Sequence, residues 1–230
     1  MKTLRPIVLA GAAIGAGLAA FAGYYAVKWA RYGKVDPERH PRDTLLDQFV
    51  PHPEVDEYHS IDIAGPAPIT LEAAKRMDLQ SALLIKAIFF LRAVPSLLRG
   101  EPFRPEGPRG IVDETLAQGF GVLAEDVDRE IVIGAYCQPW LADVEFRPLP
   151  PEEFASFDEP GFVKIAVSLA AEPLGTDNSR FVTRTRAVAT DAEARRKFRR
   201  YWSRMSAGII LIRWFFLPLL KRQVERQASI

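Results

Sequence analysis

From Ile7 to Val27 the chain reads IVLAGAAIGAGLAAFAGYYAV without a single charge. That is about the 20 residues a helix needs to cross the hydrocarbon of a bilayer. Lys2 and Arg5 precede the run and Lys28 follows it. Tyr24, Tyr25 and Trp29 gather at its C-terminal end, where amphipathic rings favour the headgroup region, and Gly11-x-x-x-Gly15 offers a small-residue face for close helix contact. These features predict a transmembrane anchor. The competing reading is a cleaved secretory signal, because Ala20-Phe21-Ala22 has the small-x-small pattern of a processing site. The uncharged run continues past that site, as an anchor requires and a signal does not.

Basic residues near the run number two before it, Lys2 and Arg5, against Lys28, Arg31, Lys34, Arg39 and Arg42 after it. By the positive-inside rule this bias places the following domain on the cytoplasmic side of the plasma membrane; signal cleavage near Ala22 would instead export it. Pro37, Pro41, Pro51 and Pro53 lie among polar residues. Since proline removes donors and restricts its predecessor, this stretch reads as an extended tether. The expected organisation is an anchor over 1–34, a tether over 35–54 and a folded domain over 55–230.

Within a chain of 230 residues that leaves ample length for one domain with a real core. Hydrophobic residues make up 48% and charged residues 26%, a globular rather than disordered balance. A net charge of +1 gives no global reason to expect nucleic acid as a partner. One cysteine, Cys137, excludes an internal disulfide and any multi-cysteine metal site, and it reads as a small buried hydrophobe.

In the domain, Glu57 to Ile63 alternates with period two and predicts a first strand, ended by Gly65-Pro66-Ala67-Pro68. Thr70 is placed to cap a short helix through Met77. Leu79 to Leu98 is apolar nearly all round and reads as a second, buried helix with a break near Pro95. After a proline- and glycine-rich loop from Gly100 to Gly110, strands are expected near Phe120–Glu125 and over Arg129–Gln138, Val163–Ala171 and Arg180–Ala189. Gly175-Thr176-Asp177-Asn178 supplies the turn chemistry that pairs the last two as an antiparallel hairpin. A capping box, Thr190-Asp191-Ala192-Glu193, opens a long C-terminal helix. Its apolar positions recur at helical spacing opposite a run of arginines, Arg195 to Arg204. From Ala207 to Leu220 only Arg213 is polar, and Pro218 is placed to kink or end the helix.

Strand, short helices, antiparallel strands and a long last helix is the order of the helix-grip fold, an α+β architecture in which a curved antiparallel sheet wraps the C-terminal helix. IVIGAYCQPW, FASFDEPGFVKIAVSL, EPLGTDNSRFVTRTRAVATD and ARRKFRRYW resemble segments of bacterial members of the SRPBCC superfamily, which includes START domains and polyketide cyclases. The resemblance covers roughly Val55 to Arg226 and is densest from Gly134. It implies a cavity between sheet and C-terminal helix that holds a lipid or another hydrophobic molecule. Tyr136, Trp140, Phe181, Thr183, Thr185, Phe198, Trp202 and Met205 are the expected ligand-binding residues, since apolar walls with a few hydroxyls suit such a pocket; the alternative is that they only fill the core. The anchor and the very apolar Ile209–Leu220 stretch depart from a freely soluble member.

Chemistry is less visible. The three histidines, His40, His52 and His59, carry no metal-ligand spacing, and no nucleophile elbow, Walker loop or dinucleotide fingerprint occurs. No cofactor and no catalytic residue is assigned on this basis. Asp143, Glu145, Glu152, Glu153, Asp158 and Glu159 crowd a proline-rich stretch where solvation accounts for them. The basic face, with Arg196 and Arg200, and the apolar residues Ile209, Ile212, Trp214 and Phe215 suit contact with a membrane of anionic lipids; a solvated face is the plainer account. Three functions follow as expectations: a membrane-tethered binding protein for a lipid or hydrophobic molecule, a cyclase- or aromatase-like enzyme, or an interaction protein that uses its apolar C-terminal helix.

Overall fold

A computed structural model describes residues 4–35, 45–78 and 110–228, with side chains in the first helix given for residue 17 and for 19–31. The expected helix at Leu79–Leu98, most of the following loop and residues 36–44 of the tether lie outside the described residues. Among the described residues eleven elements follow in order: α1 (Leu4–Arg31), α2 (Leu46–Phe49), β1 (Val55–Ile63), α3 (Ala67–Arg76), α4 (Ile111–Ala117), β2 (Gly121–Asp126), β3 (Glu130–Cys137), α5 (Pro151–Phe154), β4 (Val163–Pro173), β5 (Ser179–Ala189) and α6 (Ala192–Ala228). The protein is α+β, with a five-stranded antiparallel sheet in the order β1-β5-β4-β3-β2 and a long C-terminal helix, an arrangement consistent with the helix-grip fold.

Alternation along the strands sends each side chain to one of two faces. Ile61, Ile63, Ile131, Ile133, Leu169, Ala171 and Phe181 point to the inner face. There they pack with α3, α4 and the α6 residues Phe216, Leu217, Leu220 and Val224. Phe181 meets Phe216 edge-on with ring centroids 5.9 Å apart. On the outer face Leu123, Val132 and Ala166 form a second cluster with Phe154 of α5 and with Leu46, Phe49 and Val50. At the start of α6 a third cluster joins Phe198 and Trp202 to Tyr32, Val55, Val163 and Ala187.

Three details differ from the sequence expectation. The stretch before the domain is not uniformly extended: Leu46 and Val50 are buried to 0% and 1% exposure, so α2 is part of the fold rather than of a tether. Two ion pairs, one buried and one with its carboxylate half-exposed, hold it and the strands beneath. Arg184 grips Asp56 with Nε and Nη2 at 2.7 and 2.6 Å, and Arg186 donates to Asp47 and to the Val50 carbonyl. The cap of α6 also moves by one residue. Asp191 Oδ1 accepts from the Glu193 and Ala194 amides at 2.6 and 2.9 Å, while Thr190 Oγ1 bonds to Phe162. Thr70 is likewise not a cap; it is buried and shares a 2.8 Å hydrogen bond with Ser179 of β5, and Pro66 precedes α3 instead.

Pro218 lies inside α6 and does not end it. Close approach is instead enforced from the strand side: a Cβ on Gly65 would stand 2.5 Å from Val224 Cγ1, so glycine lets α6 settle against the end of β1. Lys221 Nζ to the Asp62 carbonyl at 2.8 Å and the Ala64 amide to Glu225 at 3.1 Å fix that end.

Leu46→Ala is expected to lower stability by about 3 kcal/mol, as for other fully buried leucines. Urea unfolding of the full chain in mild detergent measures it. A negligible change would return residues 45–50 to the tether.

Candidate functional site

The inner face carries a polar patch where β1 and β5 run beside the middle of α6. Glu57 pairs with Thr185 and His59 with Thr183 across the two strands, so all four side chains share this face. Arg213 enters it from α6. Its guanidinium donates to the Thr185 hydroxyl and, at 3.3 Å, to the Glu57 carbonyl. Lys28 of α1 forms an ion pair with the Glu57 carboxylate, and His59 Nε2 stands 4.0 Å from the other carboxylate oxygen. Burial pushes the Arg213 guanidinium down to about 10, opposed by the negative charge of Glu57. Arginine remains charged at neutral pH, so two cations and one carboxylate meet in a largely dry layer.

The helix α1 completes this region from outside the sheet. It runs antiparallel to the first half of α6: the Tyr32 ring lies edge-on to Phe198, Arg199 binds the Trp29 carbonyl at 3.0 and 2.7 Å, and the Tyr24 hydroxyl meets Ser206 at 2.8 Å. Arg199 also stacks over the Trp29 ring, 4.2 Å from its centroid. A guanidinium on the last carbonyls of a helix is favoured by the helix dipole as well as by hydrogen bonding. Between α1 and β1 opens a cleft of about 290 Å³ bounded by Lys28, Tyr32, Glu54, Glu57 and Trp202. Burial and the neighbouring Glu54 carboxylate raise Tyr32 far above the ordinary tyrosine range.

A second groove, about 710 Å³, lies on the surface between the end of α1 and the start of α6. Arg196, Lys197, Arg200 and Arg204 line it with Trp29 and Trp140, and Lys197 sits 5.8 Å from the centroid of the Trp140 ring.

The expected ligand-binding residues therefore divide. Phe181, Thr183, Thr185, Phe198 and Trp202 are buried on the side of the sheet that faces α6. Tyr136 is on the opposite side, packed against Phe157 and Phe162, because it is one residue out of phase with the inward Ala135 and Cys137; it does not line a space between sheet and helix. Trp140 and Met205 belong to the surface groove. Of the expected membrane-contact residues, Arg196, Arg200, Trp214 and Phe215 are exposed, whereas Ile209 and Ile212 are half-buried, Ile209 against the Phe198–Trp202 cluster. Among the described residues no cluster could hold a metal ion. Sequence reasoning missed Arg213, Glu57 and Lys28. Arg213 had one usable signal, a lone charge inside an apolar helical stretch.

No family model matches the chain, and no curated protein matches it. A solved structure that resembles it is the Zhui aromatase/cyclase from Streptomyces sp. R1128. The two are 13% identical, with 74% of this chain and 95% of that chain covered at a TM-score of 0.26. So distant a likeness carries no argument about the site.

Two outcomes are expected. Thr185→Val, which leaves a buried N–H of Arg213 unsatisfied, should destabilise the protein by about 1–3 kcal/mol, whereas Arg213→Met should cost less or nothing, since apolar replacements of buried charge are tolerated. Urea unfolding of both variants in detergent compares them. Stability should also fall as pH rises above about 10, where an unfolded tyrosine ionises and the folded Tyr32 does not. Below that pH its contribution is fully present. A Tyr32→Phe titration with an unchanged alkaline slope would contradict this.

Proposed function

We propose that this chain is a membrane-associated binding protein for an amphipathic small molecule, held on the inner face of the sheet against α6 with its polar head at Arg213. The observation that carries the reading is the buried guanidinium itself. A charge placed in an apolar layer costs stability unless it is matched, and among the described residues Arg213 hydrogen-bonds to a hydroxyl and a peptide carbonyl. An anionic head, a carboxylate or a phosphate ester, would take its remaining donors in a charge-assisted bond. Thr183 and Thr185 offer hydroxyls beside it, and Phe181, Phe216 and Ile61 offer apolar contact for a tail. The apolar α1 segment, read as a membrane anchor, would keep the domain where such molecules partition.

A second reading has one specific observation in its favour. Glu57 and His59 lie side by side with Thr183 and Thr185 on the inner face, so an acid–base pair is available to a bound substrate, as a cyclase-like enzyme would need.

Full-length protein in mild detergent is expected to carry a small amphipathic molecule detectable by native mass spectrometry, and to take up a fluorescent fatty acid. Arg213→Met should weaken uptake of the acid about 10- to 100-fold while leaving its methyl ester unaffected, since a hydrogen bond to a charged group carries about 1.5–3 kcal/mol. Protein that is empty and takes up neither compound would sink the binding reading. If ligand is turned over and His59→Ala abolishes turnover but not binding, the enzymatic reading replaces it.

A further inference from the structure

The outward stripe of α6 changes character along its length. Its exposed charged positions before Met205 are Glu193, Arg195, Arg196, Lys197, Arg200 and Arg204, and those beyond Pro218 are Arg222 and Arg226. Between them come Met205, Leu211, Trp214, Phe215 and Pro218, all exposed, with Trp214 at 66%. From Met205 to Pro218 the helix rises about 20 Å. An apolar strip of that length, closed at both ends by arginines, is the pattern of a helix that lies flat in a membrane interface rather than across it. Arg213, the one charge within the strip's sequence, is turned inward to the sheet and does not interrupt it.

Two further observations select a bilayer as the occupant. Because α1 and α6 are antiparallel, walking back from Tyr32 through Trp29 to Tyr24 moves forward along α6 from Phe198 to Ser206. The uncharged part of α1 and the apolar strip of α6 thus lie toward the same end, and with α6 flat on the bilayer its antiparallel partner α1 lies along the membrane surface as well instead of crossing it. At the other end, Trp29 and Trp140 stand among Arg196, Lys197, Arg200 and Arg204, pairing aromatic rings with cations as at a headgroup boundary. By composition and length α6 would also pass for a spanning helix, but 33% of its most apolar window is buried and its inner side is committed to the sheet.

We infer that the outward face of α6 is a membrane-docking surface: it rests on a bilayer containing anionic phospholipid, with Met205 to Pro218 at the acyl boundary and the arginines at both ends among the phosphates. The surface is separate from the interior patch, and the state of that patch does not bear on it.

Cys137 is 1% exposed, so a cysteine introduced at the surface is the reactive one. Leu211→Cys, and Phe215→Cys as a second variant, are labelled with an environment-sensitive dye in the full chain and reconstituted into vesicles of phosphatidylcholine with or without phosphatidylglycerol. Asp177→Cys, in the exposed turn after β4, serves as the reference. Expected is quenching by lipids brominated on their acyl chains at 211 and 215, not at 177, and more with phosphatidylglycerol. Each of Arg200→Gln, Arg204→Gln and Arg222→Gln should lower the equilibrium for the docked state about fivefold. Absence of quenching at 211 and 215 in anionic vesicles overturns the inference. So does cysteine crosslinking between copies in place of quenching, which would assign the strip to a second molecule, and so does quenching indifferent to both phosphatidylglycerol and the arginines.

Discussion

Everything in this protein rests on the seating of α6 against the inner face of the sheet. The helix runs the length of that face, from Phe198 and Trp202 at Val55 and Ala187, past Phe216 at Phe181, to Val224 over Gly65. Burial of that apolar surface is the main favourable term available to a sheet that otherwise exposes one side. The same seating decides the direction in which every other α6 side chain points. Arg213 is carried inward because it shares a stripe with Phe216 and Leu220, and Leu211, Trp214 and Phe215 are carried outward because they do not. One rotation of the helix therefore sets both the interior cation and the exposed apolar strip.

The outer face of the sheet solves its burial by other means. Asp56, Arg184 and Arg186 occupy outward positions on β1 and β5 and are covered by the segment that carries Asp47. Charged pairs of this kind add little net stability, because desolvation offsets their attraction, but they penalise any alternative placement of α2 that leaves a buried guanidinium unmatched. They locate the segment while Leu46, Phe49 and Val50 stabilise it.

Much of this was legible in the sequence. The strands were marked by β-branched alternation, and β1 shows the cleanest case: Tyr58, Ser60 and Asp62 point one way, His59, Ile61 and Ile63 the other. The β4–β5 hairpin was marked by Gly175 and its neighbours, and the start of α6 by the capping box at Thr190–Glu193, although Asp191 is the residue that caps it. Harder to read were features fixed by long-range contact. The α2 segment looks like a proline-bounded linker because its two buried anchors, Leu46 and Val50, are too few to make a period. Tyr136 was put on the wrong side because the phase of β3 depends on which neighbours cover each face, and Ile131, Val132 and Ile133 are apolar in both directions. Arg213 and Glu57 meet only after strand and helix are brought together from 156 residues apart.

That separation in sequence has a consequence for the order in which the chain acquires structure. The helix α1 is synthesised well before its partner in α6, which comes 182 residues after Tyr24, at Ser206. β1 likewise has no neighbour until β5 exists, whereas β4 and β5 are joined by a short turn and can pair as soon as both are made. The β2–β3 and β4–β5 pairs can thus form locally, with β1 and α6 closing the sheet only after β5 is made. Until then the apolar surfaces of α1 and of the nascent inner face lack their final cover.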